Sequence, residues 1–581
     1  MLVSREFRLL DNVEMPMRDG ILLRSDILLP EGDGPWPVLL QRTPYRKEDA
    51  FGTQYISGME FKAALRRGYA IVIQDTRGRY GSDGDFDPFV HEGADGADTL
   101  DWLRQQIFCN GQVVMFGASY VGATQVLLAA RDPDGLVAIS PHLTTARHGE
   151  TWTYRSGATE LGFLLLWIIE SLGPEDLRRR LPGLPPDAAE QAQRVLAQML
   201  ENPQKAYERL PILDDSIVAL APYARRWFDS KSAEAAANDQ EALDRLAVSR
   251  LPMLVSCGWN DLFVEGSIEL FETARQRWHN AESVPDRLII GPWSHGNPSD
   301  WQGDFWLGYA ASTAGLCEEQ LSFFDDARAG RLPETPMVRY FRSGSNTWHA
   351  APDWPLPGTV EKTLFLSESG LSDDPISERW QRVYQSDPNR PVPTVGGANF
   401  LPGLLQARNS GPKDQFAVES RSDVLIFTSP PLEQDLEVTG LVEANLWVSS
   451  SARSTDWNAR LCAVDWTGRS VGLVDGVARS VHTDGELTEI QIRVGHVSHL
   501  FKSGDSIRLQ ISSSNFPRFD RNPQTGFCPT TAGPGELVVA TNVLHGGEQA
   551  SSCLRLRIIP NAFPVCAGLR RQADRDSSMP L

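Results

Sequence analysis

Four apolar residues, Val113 to Phe116, lead into Gly117-Ala118-Ser119-Tyr120-Val121-Gly122 and then into Ala123-Thr124-Gln125-Val126-Leu127-Leu128-Ala129-Ala130. A buried strand, a serine between glycines and a helix-forming run leave few folds open. The pattern reads as a nucleophile elbow, in which a tight turn lifts a serine hydroxyl out of a sheet towards a helix N-terminus. Glycines two before and three after the serine remove side chains that so sharp a bend would crowd. The spacing is G-x-S-x-x-G rather than the commoner G-x-S-x-G, so the flanking strand and helix carry the reading.

Around this turn the chain alternates strands and helices. Val13–Met17 and Ile21–Leu29 flank Asp19-Gly20 and predict a hairpin. Val38–Leu40, Tyr69–Gln74 and Leu136–Ser140 are continuously apolar or nearly so, as strands covered on both faces are. Residues 144–245 break the pattern; they are rich in Ala, Leu, Arg and Glu, show helical periodicity at Leu161–Leu172 and Ala188–Leu200, and contain no convincing strand. Sheet texture returns at Pro252–Cys257 and Arg287–Gly291. From about residue 355 short alternating strands replace helices; Val442, Ala444, Leu446 and Val448 share one face of one of them. The expected organisation is an α/β fold: a core of 1–143 and 246–354, a helical insertion at 144–245, and an antiparallel β-sandwich at 355–581.

A chain of 581 residues exceeds a single core. Its net charge of −20 disfavours nucleic acid and anionic membranes, because no cationic excess exists to displace phosphate counterions. Seven scattered cysteines without a C-x-x-C pair read as reduced thiols. With no apolar stretch in Met1–Arg8 to act as a signal peptide, the expected setting is cytoplasmic. No run approaches the length of a membrane span. The histidines are dispersed, without H-E-x-x-H, and the glycine-rich Arg77–Gly81 loop is not followed by G-K-[ST], so neither metal nor nucleotide cofactor is expected.

A serine nucleophile needs a histidine to take its proton and an acid to orient that histidine. In sheets of this type they follow the serine as acid, then histidine. Asp75 ends an apolar strand but precedes Ser119, and His142 precedes the next candidate acid. Asp261, in Gly258-Trp259-Asn260-Asp261, and His295, in Gly291-Pro292-Trp293-Ser294-His295, each follow a strand and fit the order. Such strand ends are where sites collect. The oxyanion of an acyl-transfer intermediate needs two donors. The Tyr120 amide is one, and the Tyr45 hydroxyl, in the loop after the Val38–Leu40 strand, is available as the other.

Together with Asp75-Thr76-Arg77-Gly78, Gly411-Pro412-Lys413-Asp414-Gln415 and Ser514-Asn515-Phe516-Pro517-Arg518-Phe519-Asp520-Arg521-Asn522-Pro523, these segments resemble the CocE/NonD serine hydrolases. That group takes in bacterial cocaine esterases, X-prolyl dipeptidyl peptidases and α-amino-acid ester hydrolases. The resemblance implies an α/β-hydrolase core, a helical cap and a C-terminal jelly roll. It also implies Ser119, Asp261 and His295 as catalytic triad, Tyr45 and the Tyr120 amide as oxyanion hole, and a homodimer. Trp152, Trp167 and Phe263 correspond to an aromatic pocket for a benzoyl group, and Leu404 and Leu405 to contacts from the sandwich. The amino-acid ester hydrolases carry carboxylates for a substrate ammonium; this chain has Leu262 and Phe263 just after Asp261. The expectation is therefore a carboxylesterase for small uncharged, aromatic-acyl esters. X-prolyl dipeptidyl or amide and β-lactam acylase activity on the same triad is the first alternative. A carbohydrate-binding protein with a silent core is the second.

Overall fold

The computed structural model describes residues 7–49, 59–228, 233–277, 284–313, 315–333, 337–401, 409–483 and 485–560. Ten strands form the central sheet: β1 (Phe7–Pro16), β2 (Leu22–Pro30), β3 (Trp36–Thr43), β4 (Ala70–Asp75), β5 (Cys109–Ala118), β6 (Leu136–His142), β7 (Leu254–Asn260), β8 (Arg287–Ser294), β9 (Val338–Arg342) and β10 (Thr347–Ala351). Their spatial order is β1-β2-β4-β3-β5-β6-β7-β8-β9-β10. Neighbours from β4 through β9 run parallel, and the hairpins β1–β2 and β9–β10 add antiparallel edges. Val38 sits opposite both Ala70 and Val113. These central residues are fully buried, which explains the unbroken apolar runs: helices cover both faces and leave no side of the strand for solvent. Helices α1 (Glu92–Arg104), α2 (Tyr120–Ala129) and α3 (Val264–Gln276) belong to this layer.

The insertion after β6 is mainly helical, with one correction to the expectation of no strand. Tyr154–Arg155 and Ala158–Thr159 pair as a small antiparallel hairpin, too short for any sequence period to reveal. The helical run expected over Leu161–Leu172 is also two elements. Helix α4 (Leu161–Trp167) is regular, and Ile168–Leu172 is a π-helical turn. Further helices include Gly173–Arg180, Pro186–Glu201 and Asp215–Leu220. Among the described residues no helix is long and apolar enough to cross a membrane.

The C-terminal part is an antiparallel sandwich. Leu436–Ser450 lies within the larger sheet, and Ser454–Val464 within a four-stranded one. Val442, Ala444, Leu446 and Val448 are all fully buried between the sheets, on the face their alternation assigns.

The sandwich is tied to both other parts by buried charge. Arg518 donates to Glu160 of the insertion at 3.2 Å and to Asp475 of the four-stranded sheet at 2.9 Å. Asp520 accepts from the amide and hydroxyl of Thr159, at 3.2 and 3.0 Å, and from Arg479 at 2.6 Å. The Arg521 guanidinium reaches the Glu208 carbonyl at 2.8 Å. The Ser514–Pro523 motif is thus a brace. On the core side, Glu265 in the first turn of α3 accepts from Arg493 at 2.9 Å and from the His496 amide at 2.7 Å. Burial alone would raise the Glu265 pKa; His496 and Arg493 outweigh it and hold the carboxylate well below its ordinary range.

Candidate active site

Ser119 sits between β5 and α2 with φ 59° and ψ −129°, a conformation that L-residues rarely adopt and that the surrounding turn must hold. Its amide donates to the His142 carbonyl at 2.9 Å, and its own carbonyl accepts from Gly122 and Ala123. Gly117 has φ +134°, and a Cβ there would lie 2.2 Å from Val121 Cγ1. A Cβ at Gly122 would meet Thr144 Cγ2 at 2.7 Å, so the second glycine is placed where α2 crosses the chain leaving β6.

Asp261 leaves β7, and His295 follows β8 directly. Both are buried; His295 reaches Ser119, and Asp261 reaches His295. His295 Nδ1 lies 2.6 Å from Asp261 Oδ2, and His295 Nε2 lies 3.0 Å from Ser119 Oγ. A carboxylate only accepts, so Nδ1 donates to Asp261, and a neutral imidazole then turns a lone pair at Nε2 towards the serine. Asp261 Oδ1 takes the Phe263 amide at 2.7 Å, which leaves the carboxylate no freedom to turn away. This arrangement can move a proton from Ser119 to His295.

The excluded candidates have structural duties. His142 gives its carbonyl to the elbow and its Nδ1 to Ser256 Oγ at 2.8 Å; burial lowers its pKa to about 4, so it is neutral. Asp75 accepts the amides of Lys47 at 2.7 Å and Gly81 at 3.1 Å, and burial raises its pKa to about 7. Through Lys47 it anchors the loop that carries Tyr45.

The Tyr45 hydroxyl lies near the Ser119 side chain and accepts Trp167 Nε1–H at 3.0 Å. Burial pushes its pKa well above the ordinary value, so it stays a neutral donor. Tyr120 opens α2, where helix geometry leaves its amide without an intrahelical acceptor. Its own hydroxyl donates to Glu92 at 2.7 Å and accepts the Phe89 amide at 3.0 Å. Glu92 in turn lies 3.3 Å from the buried Arg42 guanidinium. Sequence reasoning missed Glu92 and Arg42, since nothing local marks a strand arginine and a helix glutamate as partners.

Trp152, Trp167 and Phe263 converge. Phe263 stacks on Trp152 with centroids 4.2 Å apart, and Trp167 stacks on Trp227 at 5.1 Å and on Phe163 at 5.4 Å. His295 is flanked edge-on by Phe263 at 5.1 Å and by Phe400 at 5.0 Å. Leu404 and Leu405 lie outside the described residues. Phe400, contributed by the sandwich part, was missed, as were Phe89, Phe163 and Trp227. Leu262 and Phe263 are fully buried beside Asp261. Among the described residues no cluster of His, Cys, Asp and Glu has the makings of a metal site.

Two family models match the chain. Residues 19–297 match the X-Pro dipeptidyl-peptidase (S15) family, and residues 331–555 match the X-Pro dipeptidyl-peptidase C-terminal non-catalytic domain. The chain is 35% identical to cocaine esterase of Rhodococcus sp. (strain MB1 Bresler), over 96% of this chain and all of that one. The fold is similar to that of an aminopeptidase from a marine sediment Thaumarchaeota archaeon, with a TM-score of 0.78, 24% identity and coverage of 95% and 97% of the two chains. An α-amino acid ester hydrolase is similar at a TM-score of 0.77, 24% identity and coverage of 96% and 97%. With a matching model over each half and a relative this similar along its full length, the chain belongs to the X-Pro dipeptidyl-peptidase (S15) family of serine hydrolases.

Proposed function

We propose that the protein is a serine carboxylesterase acting on small uncharged esters with an aromatic acyl group. Ser119 attacks the ester carbonyl while His295 Nε2 takes its proton, and Asp261 stabilises the imidazolium that results. The tetrahedral oxyanion accepts from the Tyr45 hydroxyl and the Tyr120 amide. His295 passes the proton to the departing alkoxide, and a water molecule repeats the sequence on the acyl-enzyme.

The observation that carries this reading is the aromatic wall around the imidazole. Phe263 and Phe400 meet His295 edge-on, and Trp152 stacks behind Phe263. A flat apolar acyl group gains from such a surface, while an ammonium finds no carboxylate at Leu262 or Phe263. The similarity to a cocaine esterase supports an ester substrate.

The test compares p-nitrophenyl benzoate with a dipeptidyl-proline amide, using Ser119→Ala as control. Benzoate turnover well above amide turnover, abolished in Ser119→Ala, is expected. Faster amide cleavage would overturn the ester assignment, and turnover retained by Ser119→Ala would overturn the triad.

A further inference from the structure

The Tyr45–Trp167 bond joins two parts of the fold. Tyr45 belongs to the loop after β3 in the core, and Trp167 ends α4 in the helical insertion. A phenol hydroxyl has one proton and prefers the ring plane, so it has two favoured directions. An indole nitrogen only donates. With Trp167 Nε1 at 3.0 Å occupying the lone pair on one side, the Tyr45 proton turns away from the indole. Two runs of one-way donation meet in the site. Trp167 gives to Tyr45, and Ser119 gives to His295 and His295 to Asp261; the first run begins at a group that cannot accept and the second ends at one that cannot donate.

The indole is held for this task. Its ring is sandwiched between Trp227, at an interplanar angle of 5°, and Phe163, at 16°. The helix widens into the π turn Ile168–Leu172 directly after Trp167, and such turns recur at functional sites. The carbonyls of Ser171 and Leu172, in that turn, accept from the Arg79 guanidinium, both at 3.1 Å. Arg79 Nε donates to the carbonyl of Pro44, the residue before Tyr45, at 2.9 Å. One fully buried arginine therefore fixes the spacing between the indole and the phenol.

We propose that Trp167 is a positioning residue for catalysis as well as part of the aromatic wall: its N–H orients and polarises the Tyr45 hydroxyl as an oxyanion donor. This rests on the reading of Tyr45 as such a donor. An accepted hydrogen bond strengthens the one that the same oxygen donates, and the gain is largest when the acceptor carries developing charge. The effect therefore belongs to the transition state and registers in kcat more than in KM.

The test is a double-mutant cycle. Trp167→Phe removes the N–H and part of the ring; β-(3-benzothienyl)alanine at position 167 removes the N–H and keeps the bicyclic shape. Each is made with Tyr45 and with Tyr45→Phe, and assayed on p-nitrophenyl benzoate. With Tyr45 present, the benzothienyl replacement is expected to lower kcat on the order of 10-fold. With Tyr45→Phe, the same replacement is expected to change kcat by less than about twofold. An undiminished kcat for the benzothienyl protein, or equal losses in both backgrounds, overturns the positioning role. A Tyr45→Phe protein with the full wild-type rate overturns the oxyanion assignment itself, and so separates the two failures.

Discussion

The ring of Phe263 meets the imidazole of His295 edge-on, centroids 5.1 Å apart at 85°, while the amide of the same residue holds Asp261 Oδ1 at 2.7 Å. Backbone and side chain thus serve different ends of one dyad. Phe263→Ala keeps the amide and deletes the wall. Its kcat/KM for p-nitrophenyl benzoate is expected to fall by about 10- to 100-fold, from lost apolar area and ring contacts, while p-nitrophenyl acetate stays within about threefold. Parallel losses on both esters would show that the ring supports the dyad rather than the acyl group.

Asp261→Asn preserves an acceptor for the Phe263 amide but presents an amide in place of the carboxylate that fixes the His295 tautomer. A fall in kcat of about 10⁴-fold is expected, with KM little changed. Labelling by a fluorophosphonate should slow in step. Near-normal labelling would mean that Ser119 is activated without the acid.

The brace between sandwich and insertion should weigh heavily in stability. Arg518→Met leaves Glu160 and Asp475 buried with one guanidinium fewer, and a loss of about 3–5 kcal/mol is expected by urea unfolding. Arg194, paired with Glu190 on the surface, is the control; Arg194→Met should cost less than about 1 kcal/mol. Similar costs for the two would remove the brace from the account.

His142 gives a pH dependence of definite sign. Burial lowers its pKa from 6.5 to about 4, so between these values the unfolded chain binds a proton that the folded one refuses. Stability therefore declines as pH falls through that window and levels off below it. His142→Asn keeps an atom near the Nδ1 position for Ser256 and cannot titrate. Relative to this variant the wild type should lose roughly 3 kcal/mol between pH 7 and pH 4. A gap independent of pH, measured by urea unfolding at pH 7, 5.5 and 4, would contradict a neutral buried imidazole.

Much of this was legible in the chain because the relevant rules are local or ordinal. The elbow announces itself through a strand, two glycines and a helix, and Asp261 and His295 through their order after it and their places at strand ends. What escaped depends on distance in sequence. Trp167 bears on Tyr45 across 122 positions, and Arg42 on Glu92 across 50; neither partner differs in type from an ordinary buried residue. The π turn after Trp167 shares its apolar period with a regular helix, so Leu161–Leu172 reads as one element. Phe400 was passed over because an isolated aromatic outside any regular element has no period to mark it.

The ties that hold the helical insertion down have a kinetic consequence. Besides Arg518, Asp520 and Arg521, the Leu213 amide bonds the Thr530 carbonyl at 2.8 Å, and the Thr530 hydroxyl bonds the Phe228 carbonyl at 3.0 Å. A roof bolted at so many points does not swing aside as the lid of a lipase does. Turnover of a sparingly soluble ester should then follow plain saturation through the concentration at which the ester forms droplets, with no jump in rate there. A long fatty ester should gain nothing from emulsification, because the insertion is tied down in water as it is at an oil surface.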